Sequence, residues 1–173
     1  MASTTFTGPV TSTNGFISGA GSIASQTVSS SVSGSGAVAV TSATLAGRFA
    51  LMNGASTANG SLTYTLPAAT GSGNTYTFVV GTASTGTGTY VVKVKNSTDV
   101  MAGRAYMLTD NAADAIIGFE TAADTDTVTL NGSTTGGAKG DVVTITDIAS
   151  GLFLVKCDLS GTGTEATPFS ATV

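Results

Sequence analysis

Apolar residues in this chain tend to fall at every second position, in short runs divided by small polar residues. In Ser61-Leu-Thr-Tyr-Thr-Leu66 the alternation puts Leu62, Tyr64 and Leu66 on one face, and Tyr76-Thr-Phe-Val-Val80 repeats it. A period of two belongs to a strand with one face against a core. From about residue 45 onward these signals return roughly every 10 to 15 residues, each bounded by Gly, Asn or Ser clusters. They predict strands over residues 46–52, 61–66, 75–80, 90–95, 104–108, 115–119, 125–130, 142–146 and 152–158. Many short strands with such punctuation imply an all-β domain over residues 45–173. The expected architecture is an antiparallel β-sandwich or jelly-roll-like fold built from sequential hairpins. The stretch 83–89, Ala-Ser-Thr-Gly-Thr-Gly-Thr, reads as a hairpin loop between two of these strands.

The first 44 residues have a different texture. Residues 18–44 are almost wholly Gly, Ala, Ser, Thr and Val, with one Gln26 and no charge before Arg48. Ala37-Val-Ala-Val40 hints at a strand, but such a segment cannot bury enough surface to make a core alone. Residues 1–44 are therefore expected to form an extended N-terminal arm. Apolar anchors at Phe6, Pro9, Val10, Phe16 and Ile17 would order it against another subunit or a larger scaffold.

Charge narrows the partners. The chain of 173 residues is only 9% charged, with 6 basic and 10 acidic side chains and a net charge of −4. Phosphate backbones are poor partners for that balance. No stretch approaches the ~20 apolar residues needed to cross a bilayer. Neither nucleic acid nor membrane is an expected partner. A disordered chain would be poor in hydrophobics, whereas this one is 41% hydrophobic with a mean hydropathy of +0.32, so it should fold. Thr, Ala, Gly and Ser supply 99 of the 173 residues. Small side chains offset conformational entropy only narrowly, and scarce charge does little to keep copies apart. An oligomer or a component of an assembly is the expected state. The start, Met1-Ala-Ser-Thr-Thr-Phe6, has neither the basic residues nor the apolar run of a secretory signal, so synthesis in the cytosol is expected.

Candidate chemistry is sparse. Histidine and tryptophan are absent, which removes the commonest general base and metal ligand and a preferred stacking platform. Gly-x-Ser-x-Gly does not occur. Cys157 lies in a strand with no histidine to deprotonate it and reads as a small structural residue. Asp124-Thr-Asp126, or Asp110 with Asp114, would gather carboxylates for a hard cation, but the spacing of a twelve-residue calcium loop is missing. In Gly136-Gly-Ala-Lys-Gly-Asp141, Lys139 stands where a calcium-binding repeat needs glycine and no tandem copy follows, so it reads as a loop. Leu66-Pro-Ala-Ala-Thr-Gly71 is one residue too long for a sortase signal and reads as a strand end with Pro67 opening a turn. Asn59-Gly-Ser, Asn96-Ser-Thr and Asn131-Gly-Ser match a glycosylation pattern and read as turns. Lys93, Lys95, Arg104 and Lys156 are dispersed in sequence and read as solvated strand faces. An enzyme would have to work with carboxylates alone, from Asp110, Asp114, Glu120, Asp124, Asp126 or Asp147. No enzymatic activity, catalytic residue, cofactor or metal is expected.

Two longer stretches carry a resemblance. One is Tyr64-Thr-Leu-Pro-Ala-Ala-Thr-Gly-Ser-Gly-Asn-Thr-Tyr-Thr-Phe-Val-Val80. The other runs from Thr127-Val-Thr-Leu-Asn-Gly132 through Gly140-Asp-Val-Val-Thr-Ile145 and Gly151-Leu-Phe-Leu-Val155 to Ala166-Thr-Pro-Phe-Ser170. With Phe6-Thr-Gly-Pro-Val-Thr-Ser-Thr-Asn-Gly-Phe16, they resemble the capsid decoration, or cement, proteins of short-tailed bacteriophages. The matching parts cover roughly half the chain and are β-scaffold pattern rather than a site. The resemblance implies a β-rich virion protein, typically a homotrimer, on the outer surface of the capsid. There it would bridge neighbouring copies of the major capsid protein, and no catalytic residues carry over. A phage tail or head fibre, or receptor-binding component, is the second reading and would call for a longer repetitive shaft and an exposed aromatic tip. A bacterial adhesin or pilin-like domain would need an export signal or sorting tail.

Overall fold

The computed structural model describes residues 28–31, 36–110 and 115–173. The arm anchors Phe6, Pro9, Val10, Phe16 and Ile17, and Asp114, lie outside the described residues. In chain order the elements are β1 (Val28–Ser31), β2 (Gly36–Ala39), α1 (Ser42–Leu45), β3 (Phe49–Asn53), β4 (Leu62–Thr65), β5 (Thr75–Val80), β6 (Tyr90–Lys93), β7 (Val100–Leu108), β8 (Ile116–Glu120), β9 (Thr127–Leu130), β10 (Val142–Ala149), β11 (Leu152–Ser160) and β12 (Phe169–Ser170). The chain is all-β, a sandwich of two mixed sheets. The larger has the order β1-β3-β5-β10-β11-β7-β8 and the smaller β12-β9-β6-β4-β2.

Each of the nine strands expected from the sequence is present, with ends shifted by a few residues. Leu62, Tyr64 and Leu66 are all buried, as the period of two requires. So are Tyr76, Phe78 and Val80 of β5, while Thr75, Thr77 and Val79 are half-buried. The core lies between the inner faces: Met52, Phe78, Ile145, Phe153 and Val155 come from the larger sheet, and Leu62, Tyr64, Tyr90, Val128 and Leu130 from the smaller. Across it the Tyr64 and Phe78 rings meet edge to face at 5.2 Å and 62°, the arrangement their quadrupoles favour.

The topology corrects the expectation of antiparallel strands joined hairpin by hairpin. From β1 to β6 the chain alternates between sheets, so that Val28, Ala50 and Phe78 stand abreast in one and Gly36, Leu62 and Tyr90 in the other, all in parallel. Stretch 83–89 is accordingly not a hairpin loop. It carries the chain from β5 to β6 in the opposite sheet, with the Ser84 N–H donating to Gly137 O and the Thr85 N–H to Ala55 O. Among the described residues only β7–β8 and β10–β11 are consecutive strands that pair antiparallel. The loops between β3 and β6 run eight or nine residues. That is too long for a tight turn and long enough to span the ~10 Å between packed sheets. A parallel pair needs a crossover, and here a strand of the facing sheet supplies it where other folds use a helix.

Of residues 1–44, assigned to the arm by composition, the described ones join the sandwich as β1, β2 and most of α1. β2 pairs with β4, and Val40 and Leu45 enter the core. Thr41 caps α1: its hydroxyl accepts the Thr44 N–H, and the Thr44 hydroxyl answers the Thr41 N–H, which turns Leu45 inward.

Candidate functional site

Among the described residues four acidic side chains, Asp99, Asp126, Asp141 and Asp147, are buried, and each accepts backbone N–H groups from a loop or chain end. Asp147, on β10, takes the N–H of Thr70, Gly71 and Ser72 at 2.7 to 3.1 Å and the Ser72 hydroxyl at 2.7 Å. Burial alone would raise its pKa, but the hydroxyl and N–H of Ser72 and the N–H groups of Gly71 and Thr70 outweigh that and hold the carboxyl at about 2. At Asp126 burial is likewise outweighed, by the Thr127 hydroxyl, the N–H groups of Thr172 and Val173, and the nearby Lys93 charge, so its pKa is lowered. Asp141 is the reverse case: burial prevails over N–H donation from Gly137, Ser160 and Ala138, and the pKa is raised. Asp99 receives the Ala69 N–H at 3.0 Å and the Asn96 amide at 2.8 Å.

These bonds decide what the carboxylates do. Oxygens filled by donors of the same fold are poorly placed to take a proton from a substrate, and the product of this arrangement is held loops. Of the carboxylates weighed as catalytic candidates, Asp126 and Asp147 are such staples. Asp110 accepts the Gly163 N–H at 3.2 and 3.3 Å, and Glu120 and Asp124 are exposed. Among the described residues no three His, Cys, Asp or Glu side chains gather as a metal site. Cys157 is buried in β11, where burial and then the charges of Asp158 and Asp141 push its thiol far above the ordinary value. Asn96 and Asn131 form turns, their side-chain oxygens accepting the Thr98 and Ser133 N–H groups.

The surface feature that stands apart is the outer face of β11, β7 and β8. Register puts Lys156, Arg104 and Glu120 in one cross-strand row, Asp158, Tyr106 and Gly118 in the next, and Ser160, Leu108 and Ile116 in the third. The first row is wholly charged, while the next two carry Tyr106, Leu108 and Ile116 with Asp158 as their one charge. Tyr106 is 48% exposed, Leu108 45% and Ile116 69%. The Arg104 guanidinium lies 3.5 Å from the Tyr106 hydroxyl and donates to it. A hollow of about 330 Å³, lined by Gly103, Arg104, Leu154, Lys156 and Asp158, flanks Tyr106 on one side. Another of about 380 Å³, lined by Leu108, Ile116, Lys139, Asp158 and Ser160, flanks it on the other. Both are open to solvent. Tyr106 thus stands as an exposed aromatic between two shallow hollows on one sheet face, a composition that interfaces favour.

Sequence reasoning missed this face because Arg104 and Lys156, far apart in the chain, become direct neighbours only through the parallel pairing of β7 with β11. The available signal was the lack of alternation in Ile116-Ile-Gly-Phe119, a run with too few polar positions for a solvated face. The staples Asp99 and Asp141 were also missed; both follow turn residues, in Asn96-Ser-Thr-Asp99 and Lys139-Gly-Asp141, where an aspartate commonly bonds nearby backbone. Comparison with protein-family models, with curated proteins and with solved structures finds no match to this chain.

Proposed function

We propose that this protein is a virion structural component that decorates the outside of a phage capsid and cements it by bridging neighbouring major capsid proteins. The observation that carries the reading is the exposed Tyr106, Leu108 and Ile116 surface on a sandwich whose buried carboxylates are spent on holding loops. A rigid body with a sticky face is what stapling needs, and the cement-protein resemblance of its β segments supplies the target. Each copy would bury a modest apolar area against the shell, at about 25 cal/mol per Å². Copies clustered about a symmetry axis, three-fold in the family it resembles, would add avidity. The chain would be made in the host cytoplasm and end on the capsid surface.

The arm keeps its place in this mechanism, with Phe6, Pro9, Val10, Phe16 and Ile17 contacting the shell or an adjacent protomer. A fibre component remains the second reading, favoured by the parallel winding of β1 to β6, since repeated circuits are how solenoid shafts are extended. The test is co-sedimentation with purified heads lacking the protein. Wild type should bind, Tyr106→Ser with Leu108→Ser should bind at least tenfold more weakly with an unchanged melting temperature, and a chain lacking residues 1–27 should lose occupancy. Undiminished binding by both variants would defeat the proposal.

A further inference from the structure

The larger sheet ends, among the described residues, at β8. Thr109 N–H donates to Ala115 O and Thr121 N–H to Gly103 O, which makes the odd-numbered residues of this hairpin the hydrogen-bonded partners. In an antiparallel ladder bonded and non-bonded residues alternate. Ile117 and Phe119 therefore spend their backbone groups on β7, while Ile116, Gly118 and Glu120 direct N–H and C=O away from it. Four of the five residues of β8 are exposed, one is charged, and none is proline. That lacks most of the devices by which proteins blunt an edge.

We infer that β8 pairs antiparallel with β8 of a second copy, about a two-fold axis at Gly118. The sequence of the strand is self-complementary in this register. Gly118 faces its own symmetry mate and Ile116 faces Glu120 of the other copy, so all three outward-directed residues of each chain find bonding partners. On the inner face Ile117, 36% exposed, meets Phe119, extending the core across the junction. On the outer face a Cβ built at Gly118 has nothing within 4 Å, so the Tyr106 side chains of the two copies, one strand away on either side, border a shared open strip. Charge selects the direction. Parallel pairing in the same register would set Glu120 beside Glu120, whereas the antiparallel one puts an isoleucine there and leaves Arg104 as its neighbour within the chain. Shifting by one residue would turn the apolar inner face outward.

A single strand pair is smaller than the ~800 Å² per partner of a standard interface, so association is expected to depend on concentration. The contact is independent of any shell. Where copies also meet about a three-fold axis, it would link neighbouring triplets.

Gly118→Cys tests the axis, because only a residue on a two-fold meets itself, at a Cα separation of about 5.5 Å that a disulfide spans. The native Cys157 is buried and stays silent. Under mild oxidation Gly118→Cys should run as a covalent dimer on a non-reducing gel, and Ser160→Cys, two strands inward, should not. In sedimentation velocity, Ile116→Glu sets like charges opposite each other at both ends of the junction and should weaken association roughly three- to tenfold. Ile116→Lys, facing Glu120, should leave it equal or tighter. Cross-linking of both cysteine variants alike, equal weakening by Lys and Glu, or a thiol in Gly118→Cys that labels freely yet never cross-links would each overturn the pairing. So would an introduced thiol shielded from label in a monomer, the sign of the edge being covered by the chain itself.

Discussion

At the scale of single residues, the buried aspartates carry more of this fold than their number suggests. Asp147→Asn removes the charge from an acceptor of at least three N–H groups and turns one oxygen into a donor. It should cost roughly 2 to 4 kcal/mol in chemical denaturation. The pH dependence has a definite sign. Asp147 titrates at about 2 in the fold against an ordinary 3.8, so the unfolded chain binds more protons between those values. Its contribution is complete above about pH 4 and drains away as pH falls toward 2. Asp126, also lowered, acts in the same direction. Asp141, raised by burial, acts oppositely, its share being largest in acid and declining as pH rises through its folded value. Asp141→Asn should accordingly destabilise less at neutral pH than Asp147→Asn, and the latter should flatten the acid limb of stability against pH. A larger loss at 141, or an unchanged acid limb in Asp147→Asn, contradicts this account.

At the scale of elements, the strands were legible and their partners were not. Alternation in Leu62, Tyr64 and Leu66 identifies a buried face without regard to whether the neighbour runs parallel or antiparallel. Direction was encoded in loops of eight or nine residues, whose glycines suit hairpins and crossovers equally. β2 was only hinted at by the alternation in Ala37-Val-Ala-Val40, because Gly36-Ala-Val-Ala39 has almost no apolar bulk and becomes a strand by pairing with β4. The proposed docking face was illegible because it exists only once β11 lies beside β7. That junction is tight at Gly103, where a Cβ would overlap the Val155 carbonyl oxygen. Gly103→Ala should therefore cost about 3 kcal/mol by opening the β7–β11 ladder. Gly118→Ser, one strand further out in open space, should change stability by less than about 0.5 kcal/mol. Thermal or denaturant unfolding of the two variants side by side checks the contrast.

At the scale of the whole molecule, the same economy recurs: few charges, small side chains, and a core closed by strands wound alternately through two sheets. Among the described residues Phe49 and Ile148 stay exposed, as do Tyr106, Leu108 and Ile116 on the β11-β7-β8 face beside the unblunted edge of β8, and that face and edge would suit the proposed association. The claim that this body staples a shell is tested most directly by electron microscopy of particles carrying the protein. Ordered β-sandwich density is expected on the head exterior, spanning adjacent capsid subunits, with the β11-β7-β8 face in contact. Density confined to tail or fibres, or heads left bare in the presence of saturating protein, would contradict it.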